Sequence, residues 1–428
     1  MRSIPAYMTV LLIAGALDGG AIPAPAAPVL PPLTGAALLD DWGNRMATLG
    51  TSVGENSLRT QIRTTIAQLA MFDAVNAVLD GPYEPFASKP AAAPGAAPEA
   101  AVIQAAYVVA VHEFPARLAM IQTAYDAEIA ALVATAPAEA IAAGIAVGTE
   151  AANAVLGDRV DDNRNLLDLD GYEPASGPGA WIPTPPLFGP PQAPSLRQVR
   201  PFGYDDPARF RPREPPALDS RTYAADYNEI KEVGRLGSTT RTPEQSATAQ
   251  FWTPSATALW TANVRSLAAQ MNLDLLTAAR FEAIGIAAVT NSLLAVWEAK
   301  YAYMFWRPVT AIVHGDADGN DETEADPSWL PSITTPSHPE YPAAHTAVGG
   351  GALGFYTAWF DTDELPLQVK GAGNLVRTYS NFAEIRDEEG NARIWGGMHF
   401  RNSTEVGTAL GSRVGKYTAT HLLKRLDE

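Results

Sequence analysis

The chain contains no cysteine, which excludes disulfides, thiolate nucleophiles and thiolate-bound metals. Positive charge is also scarce: 30 lysines and arginines face 47 aspartates and glutamates, a formal net charge of -17. A field of that sign repels both phosphate backbones and anionic membrane surfaces, so neither nucleic acid nor membrane is an expected partner. Any anion site must therefore be built locally. Charged residues make up 18% against 47% hydrophobic, the balance of a folded protein with a sizeable core. Beyond the first segment no stretch reads as long and uncharged enough to span a bilayer. The run after His345 is glycine-rich, and the run before Trp297 is interrupted by polar residues. Strand-like alternation is scarce as well, which leaves helices as the expected elements.

At 428 residues the chain is long enough for more than one domain. Residues 1–27 combine Arg2, an apolar run from Tyr7 to Leu17 and small residues around Ala24, Pro25 and Ala26. That pattern is expected of an export signal, hence a secreted or periplasmic protein; an ordinary apolar N-terminal helix is the alternative. Residues 28–428 read as a single helical domain with no internal repeat. Its N-terminal helices occupy 55–160, with apolar residues three and four apart over Arg59–Leu79, Pro98–His112, Pro115–Val133 and Pro137–Leu156. A connection dense in proline and glycine follows at 170–218, where Trp181, Phe188, Phe202 and Phe210 favour packing over a helical body. Helical periodicity resumes across 222–428, at Tyr223–Leu236, Pro243–Met271, Leu275–Trp306, Thr346–Phe360, Leu365–Ala383 and Ser403–Leu426. The expected fold is thus an all-α helical bundle with long Pro/Gly-rich connections.

Three segments carry candidate chemistry. In EAKYAYMFWRPVTAI, Lys300 and Arg307 lie two helical turns apart, which puts both cations on one face of a continuous helix. Their aromatic surroundings demand an anionic partner if they are buried; snorkelling side chains are the bland alternative. In TPSHPEYPAAHTAVGGG, small residues and His345 open a helix whose free N–H groups suit an anion, although His345 alone equally fits a packing role. In NARIWGGMHFRNSTEVG, Gly396 and Gly397 interrupt the helix so that Arg393 and His399 can turn toward one point, with Asn402 or Ser403 available to cap the next helix.

The series Lys-x6-Arg-Pro, Pro-x-x-His and Arg-x5-His resembles the three motifs of the vanadium-dependent haloperoxidases and the type-2 phosphatidic-acid phosphatase superfamily. AMFDAVNAVLDGPYEPF, PGAWIPTPP and the Tyr223–Trp252 stretch extend the likeness to the soluble bacterial branch. The resemblance implies a haloperoxidase-type bundle and vanadate as cofactor, with phosphate able to occupy the same site. It assigns Lys300, Arg307, Ala344 and Arg393 to the vanadate oxygens, His399 to vanadium, and His345 to acid–base work. Its reaction partners would be hydrogen peroxide, a halide and a small organic acceptor, and a homo-oligomer is compatible with it. His338 occupies a position that is histidine in bromide oxidisers and aromatic in chloride oxidisers, which points to bromide or iodide, with Trp297 completing a halide pocket.

The chain departs from the pattern at two places. Ala343 and Ala344 stand where the family has Ser-Gly, removing a hydroxyl donor. Ser403 stands where an aspartate often orients the vanadium-binding histidine, leaving Glu405 or a backbone carbonyl for that role. The alternatives for the same residues are an acid phosphatase with His399 as nucleophile and His345 as the proton donor, or an oxyanion-binding homologue without turnover. The acidic stretch His314–Asp326 has oxygen ligands at alternate positions but lacks the glycine and glutamate of a calcium loop, so a solvated loop is expected. His112 and His421 fit packing and helix-dipole roles.

Overall fold

A computed structural model describes residues 31–426, and the export-signal segment lies outside them. Thirteen α-helices are seen among the described residues. In the N-terminal part these are α1 (Gly35–Ser52), α2 (Ser57–Val78), α3 (Pro98–Glu113), α4 (Leu118–Val133) and α5 (Ala138–Asp158). After the connection come α6 (Arg221–Val233), α7 (Pro243–Phe251), α8 (Ala256–Gln270), α9 (Leu275–Tyr303) and α10 (Pro308–Val313). The last three are α11 (Ala344–Phe360), α12 (Phe382–Trp395) and α13 (Arg401–His421). Local signals account for several starts. Asn56 and Asp274 accept backbone N–H groups at the head of α2 and α9, Thr242 and Gln245 form a capping box on α7, and Pro98 opens α3.

Helix α9 is the axis of the bundle. Nearly every residue from Ala278 to Tyr301 is buried, as expected of a helix that is apolar all round. It packs against α2 on one side and against α11 and α13 on the other, and one apolar core runs from Leu38 to Leu423 through both halves of the sequence. By length and composition α9 and α5 are each apolar enough to cross a membrane, against the sequence expectation, but 94% of the relevant window of α9 is buried inside the bundle.

Four further expectations are corrected. The helix expected over Pro243–Met271 is two, because Pro254 sits between α7 and α8 and cannot donate to the ladder. The stretch Leu365–Ala383 contains an antiparallel hairpin, β1 (Leu367–Lys370) and β2 (Val376–Tyr379), pairing Leu367 with Tyr379 and Lys370 with Val376. Strands this short present too few alternations to stand out in sequence, and their pairing depends on packing more than on propensity. Helix α13 is capped at Phe400 and begins at Arg401, without a side-chain cap from Asn402 or Ser403. Finally, α9 stops at Tyr303, so Lys300 and Arg307 do not share a helix.

The 170–218 connection is ordered and packed. Trp181 and Phe202 are buried, whereas Phe188 is exposed. The connection braces the turn after α9: Trp181 N–H donates to Met304 O at 2.6 Å and Trp306 N–H to Gly179 O at 2.8 Å. The acidic loop at 314–326 is exposed over most of its length, as expected; Asp318 is buried and accepts from Asn320 N–H and the Thr323 hydroxyl.

Candidate active site

Proline decides where the first two cations point. Pro308 disfavours helical backbone at the residue before it, and Arg307 is extended at φ -80°, ψ 154°. The chain therefore leaves α9 through Met304 in the left-handed region, φ 50°, and turns Arg307 back toward Lys300. Both side chains are fully buried. Lys300 Nζ donates to the carbonyls of Pro339 and Glu340, each at 2.8 Å. Arg307 Nε donates to His338 O at 2.8 Å, and Nη1 to Met398 O at 2.9 Å. Residues from all three sequence motifs thus meet around one guanidinium.

The third motif enters as anticipated. Arg393 projects from the last turn of α12, and Gly397, at φ 78°, reverses the chain before His399. Arg393 is 2% exposed; Nη1 donates to Trp252 O at 2.9 Å, while Nε is buried without a protein acceptor. His399 is 1% exposed. Arg307 Nη1 lies 3.1 Å from His399 Nε2. A guanidinium only donates, so Nε2 accepts and the ring proton sits on Nδ1. Nδ1 donates to Glu340 Oε1 at 3.0 Å, an oxygen that also accepts Phe400 N–H at 3.0 Å. Glu405, one of the partners expected for His399, is exposed.

His345 lies in the first turn of α11 and is partly buried, the member of the set with the most solvent contact. Its Nε2 donates to Pro254 O at 3.0 Å. Ala343 is the N-cap of α11 and supplies no side-chain cap, so the first-turn N–H groups, Ala344 among them, have no partner within the helix. Ala343 N–H itself donates to Ser403 O at 3.0 Å. His338 and Trp297, expected together, are together: their rings are 5.0 Å apart, and Arg307 Nη2 donates to His338 Nδ1 at 3.0 Å. Trp297 Nε1 is fixed by Gln192 O at 3.2 Å, from the proline-rich connection.

Electrostatics make the cluster unusual. Burial, then repulsion from the neighbouring cations, holds His338, His345 and His399 well below the ordinary histidine range, which favours the neutral ring in each. Burial lowers Lys300 well below its usual value, Arg307 to about 9 and Arg393 to about 10. Two buried carboxyls face them: burial pushes Glu340 up to about 7 and Glu389 up to about 8. Two guanidiniums and the Lys300 amine against two carboxyls, neither firmly ionised, leave excess positive charge in a buried space, and that excess calls for an oxyanion.

Sequence patterns do not single out Glu340, Glu389 or the carbonyls of Trp252 and Pro254. Glu340 leaves one signal, as the sole acid between Pro339 and the His345 helix. The carbonyls leave none, since any residue carries one.

These features define a mostly helical protein with a buried cationic pocket around a carboxylate-held histidine. Residues 280–428 match the family described as the VCPO second helical-bundle domain. The vanadium chloroperoxidase of Curvularia inaequalis is 24% identical, over 45% of this chain and 39% of that protein, so the chain spans about two fifths of that relative's length. A bacterial vanadium-dependent iodoperoxidase superposes with a TM-score of 0.76 at 23% identity, covering 92% of this chain and 98% of that one. A holo-type bacterial vanadium-dependent chloroperoxidase gives 0.64 at 19% identity, covering 84% and 90%. The family match covers residues 280–428, and over most of the chain the fold is shared with both bacterial structures.

Proposed function

We propose that the chain is a vanadate-dependent haloperoxidase that oxidises bromide or iodide with hydrogen peroxide. One observation carries the reading: the accepting Nε2 of His399 is buried at a point where Lys300, Arg307 and Arg393 converge. The donor set fits vanadate. Its negative charge matches the surplus of cations, the acceptor-less Arg393 Nε and the uncapped start of α11 offer N–H donors, and a neutral imidazole is a ligand. Vanadate held there supplies a Lewis acid that activates peroxide toward halide attack.

The chain's own residues do the rest. Lys300, Arg307, Arg393 and Ala344 N–H bind the oxygens and neutralise their charge. His399 is kept in one tautomer by Glu340 at Nδ1 and Arg307 at Nε2, so the ring is already oriented and only Arg307 Nη1 must turn from the lone pair to an oxyanion oxygen. His345, neutral and in contact with solvent, takes the proton from incoming peroxide, with its ring anchored on Pro254 O. His338 and Trp297 form the halide side, and a small organic acceptor takes the oxidised halogen.

The test is reconstitution with orthovanadate followed by peroxide-dependent bromination, in the parent and in His399→Ala. The variant is expected to lose activity by more than about a hundredfold, because it removes the group that binds vanadium. Chloride oxidised as efficiently as bromide would remove the halide assignment. A second reading has an observation in its favour: a neutral histidine held on a carboxylate is also the arrangement of a phosphatase nucleophile. Phosphomonoester hydrolysis without vanadate, lost in His399→Ala and unaccompanied by bromination, would put it first. Vanadate binding with neither activity would leave an oxyanion-binding protein.

A further inference from the structure

We infer that Glu340 is the positioning residue of the site, the side chain that fixes His399 and, through its backbone, Lys300. Glu340 has no exposed surface. Its Oε1 accepts from both His399 Nδ1 and Phe400 N–H, which clamps the ring and the chain that follows it. Its carbonyl accepts from Lys300 Nζ at 2.8 Å, and its own N–H donates to Phe305 O at 2.9 Å. The residue is therefore bonded to the first and third motifs while belonging to the second. Ser403, by contrast, does not hold the ring. Its buried Oγ lies short of hydrogen-bond geometry with any acceptor, and its nearness is the smallest of the influences that favour the Glu340 carboxylate. The residue enters the site through its backbone carbonyl, which accepts Ala343 N–H. The carboxylate that orients the histidine thus comes from the proline-flanked segment before α11 and not from α13.

This inference rests on His399 being the anion-facing histidine, and the experiment separates the two. Long-range ¹H–¹⁵N spectra of histidine-labelled protein report the tautomer, with His399 assigned by its loss in His399→Gln. The parent should show a proton on Nδ1 alone; a proton on Nε2 would overturn the inference. Glu340→Gln should preserve that tautomer, because two N–H donors already point at the position of Oε1 and draw the amide oxygen there. Glu340→Ala, which leaves only Arg307 Nη1 to bias the ring, should mix the tautomers and weaken orthovanadate binding, measured by calorimetry, by about tenfold or more. Ser403→Ala should change that affinity by less than about twofold. Unchanged tautomer and affinity in Glu340→Ala would overturn the assignment. Should Glu340→Ala not fold, the parent and Glu340→Gln spectra still decide it. A parent that binds no vanadate would defeat the proposed function while leaving the tautomer result to judge Glu340.

Discussion

At the scale of the residue, the site is a problem in charge balance solved by neutral histidines and by a few backbone oxygens. Carbonyls of Pro339, Glu340, His338, Met398 and Trp252 accept hydrogens from Lys300, Arg307 and Arg393 without cancelling their charge. The cations are thereby held in place yet remain available to an anion. The alanine at the N-cap of α11 is the conspicuous departure. Ala343 is buried and caps nothing with its side chain. Ala343→Ser would place a hydroxyl at the mouth of that helix. A hydrogen bond to a charged group is worth about 1.5–3 kcal/mol, so orthovanadate affinity measured by titration is expected to rise about tenfold or more. Unchanged affinity would mean that the hydroxyl is occupied in capping α11. The five cationic and imidazole groups are legible in sequence because their chemistry demands particular side chains at particular spacings. Glu340 is not, because a lone acid in a loop has no pattern until the chain folds over it.

At the scale of the element, two helices hold the two key histidines in register. His345 opens α11, His399 immediately precedes α13, and these helices make the most extensive contact in the bundle. Their closeness is enforced by glycine: a Cβ at Gly411 would lie 1.9 Å from Ala347 O, nearer than any packed atom can stand. Gly411→Ala must push the helices apart. Overpacking of this kind costs about 1–3 kcal/mol, and the displacement should carry His345 away from His399. A lower melting temperature together with loss of vanadate-dependent turnover is the expected result; a variant that melts lower but turns over normally would show that the histidines are aligned by something else. The glycines of both helices are visible in sequence, but nothing there says that they face each other. The break after α9 escapes sequence reading for a related reason: aromatic periodicity continues to Trp306, while Pro308 has already committed Arg307 to extended backbone.

At the scale of the whole molecule, buried ionisable groups set how stability varies with pH. Glu282, at the heart of α9, is fully buried, and burial raises its carboxyl from 4.5 to about 8. Gln68 Nε2 donates to its Oε2 at 2.7 Å. Within that window the folded protein keeps a proton that the unfolded chain releases, so this contribution is present at low pH and lost as pH rises through the folded value. Glu340 and Glu389 act in the same sense. The buried histidines have lowered folded values, so they cost stability only as pH falls below the ordinary 6.5. Lys300 is also lowered, and its effect opposes that of the carboxyls, since the unfolded chain then binds the extra proton. The share of Glu282 is therefore read by difference. Glu282→Gln removes the titrating group and keeps a neutral partner for Gln68. The unfolding free energy of the parent, measured relative to the variant by denaturant titration, should fall between pH 6.5 and 8; a constant difference would show that Glu282 is already ionised in the fold.

By itself the sequence determined the helical class, the proline-rich connection and the three cation and histidine motifs, because each depends on local periodicity or on side-chain chemistry at fixed spacing. Only the tertiary structure decided that Arg307 leaves the helix of Lys300, that residues 367–379 pair as a hairpin and that the α7–α8 junction presents its carbonyls to Arg393 and His345. It alone brought Glu340 under His399. The physical reason is common to most of these contacts. They join residues far apart along the chain through backbone groups that every residue carries, or through a single acid without a repeat, and their energy exists only once the bundle has closed around them.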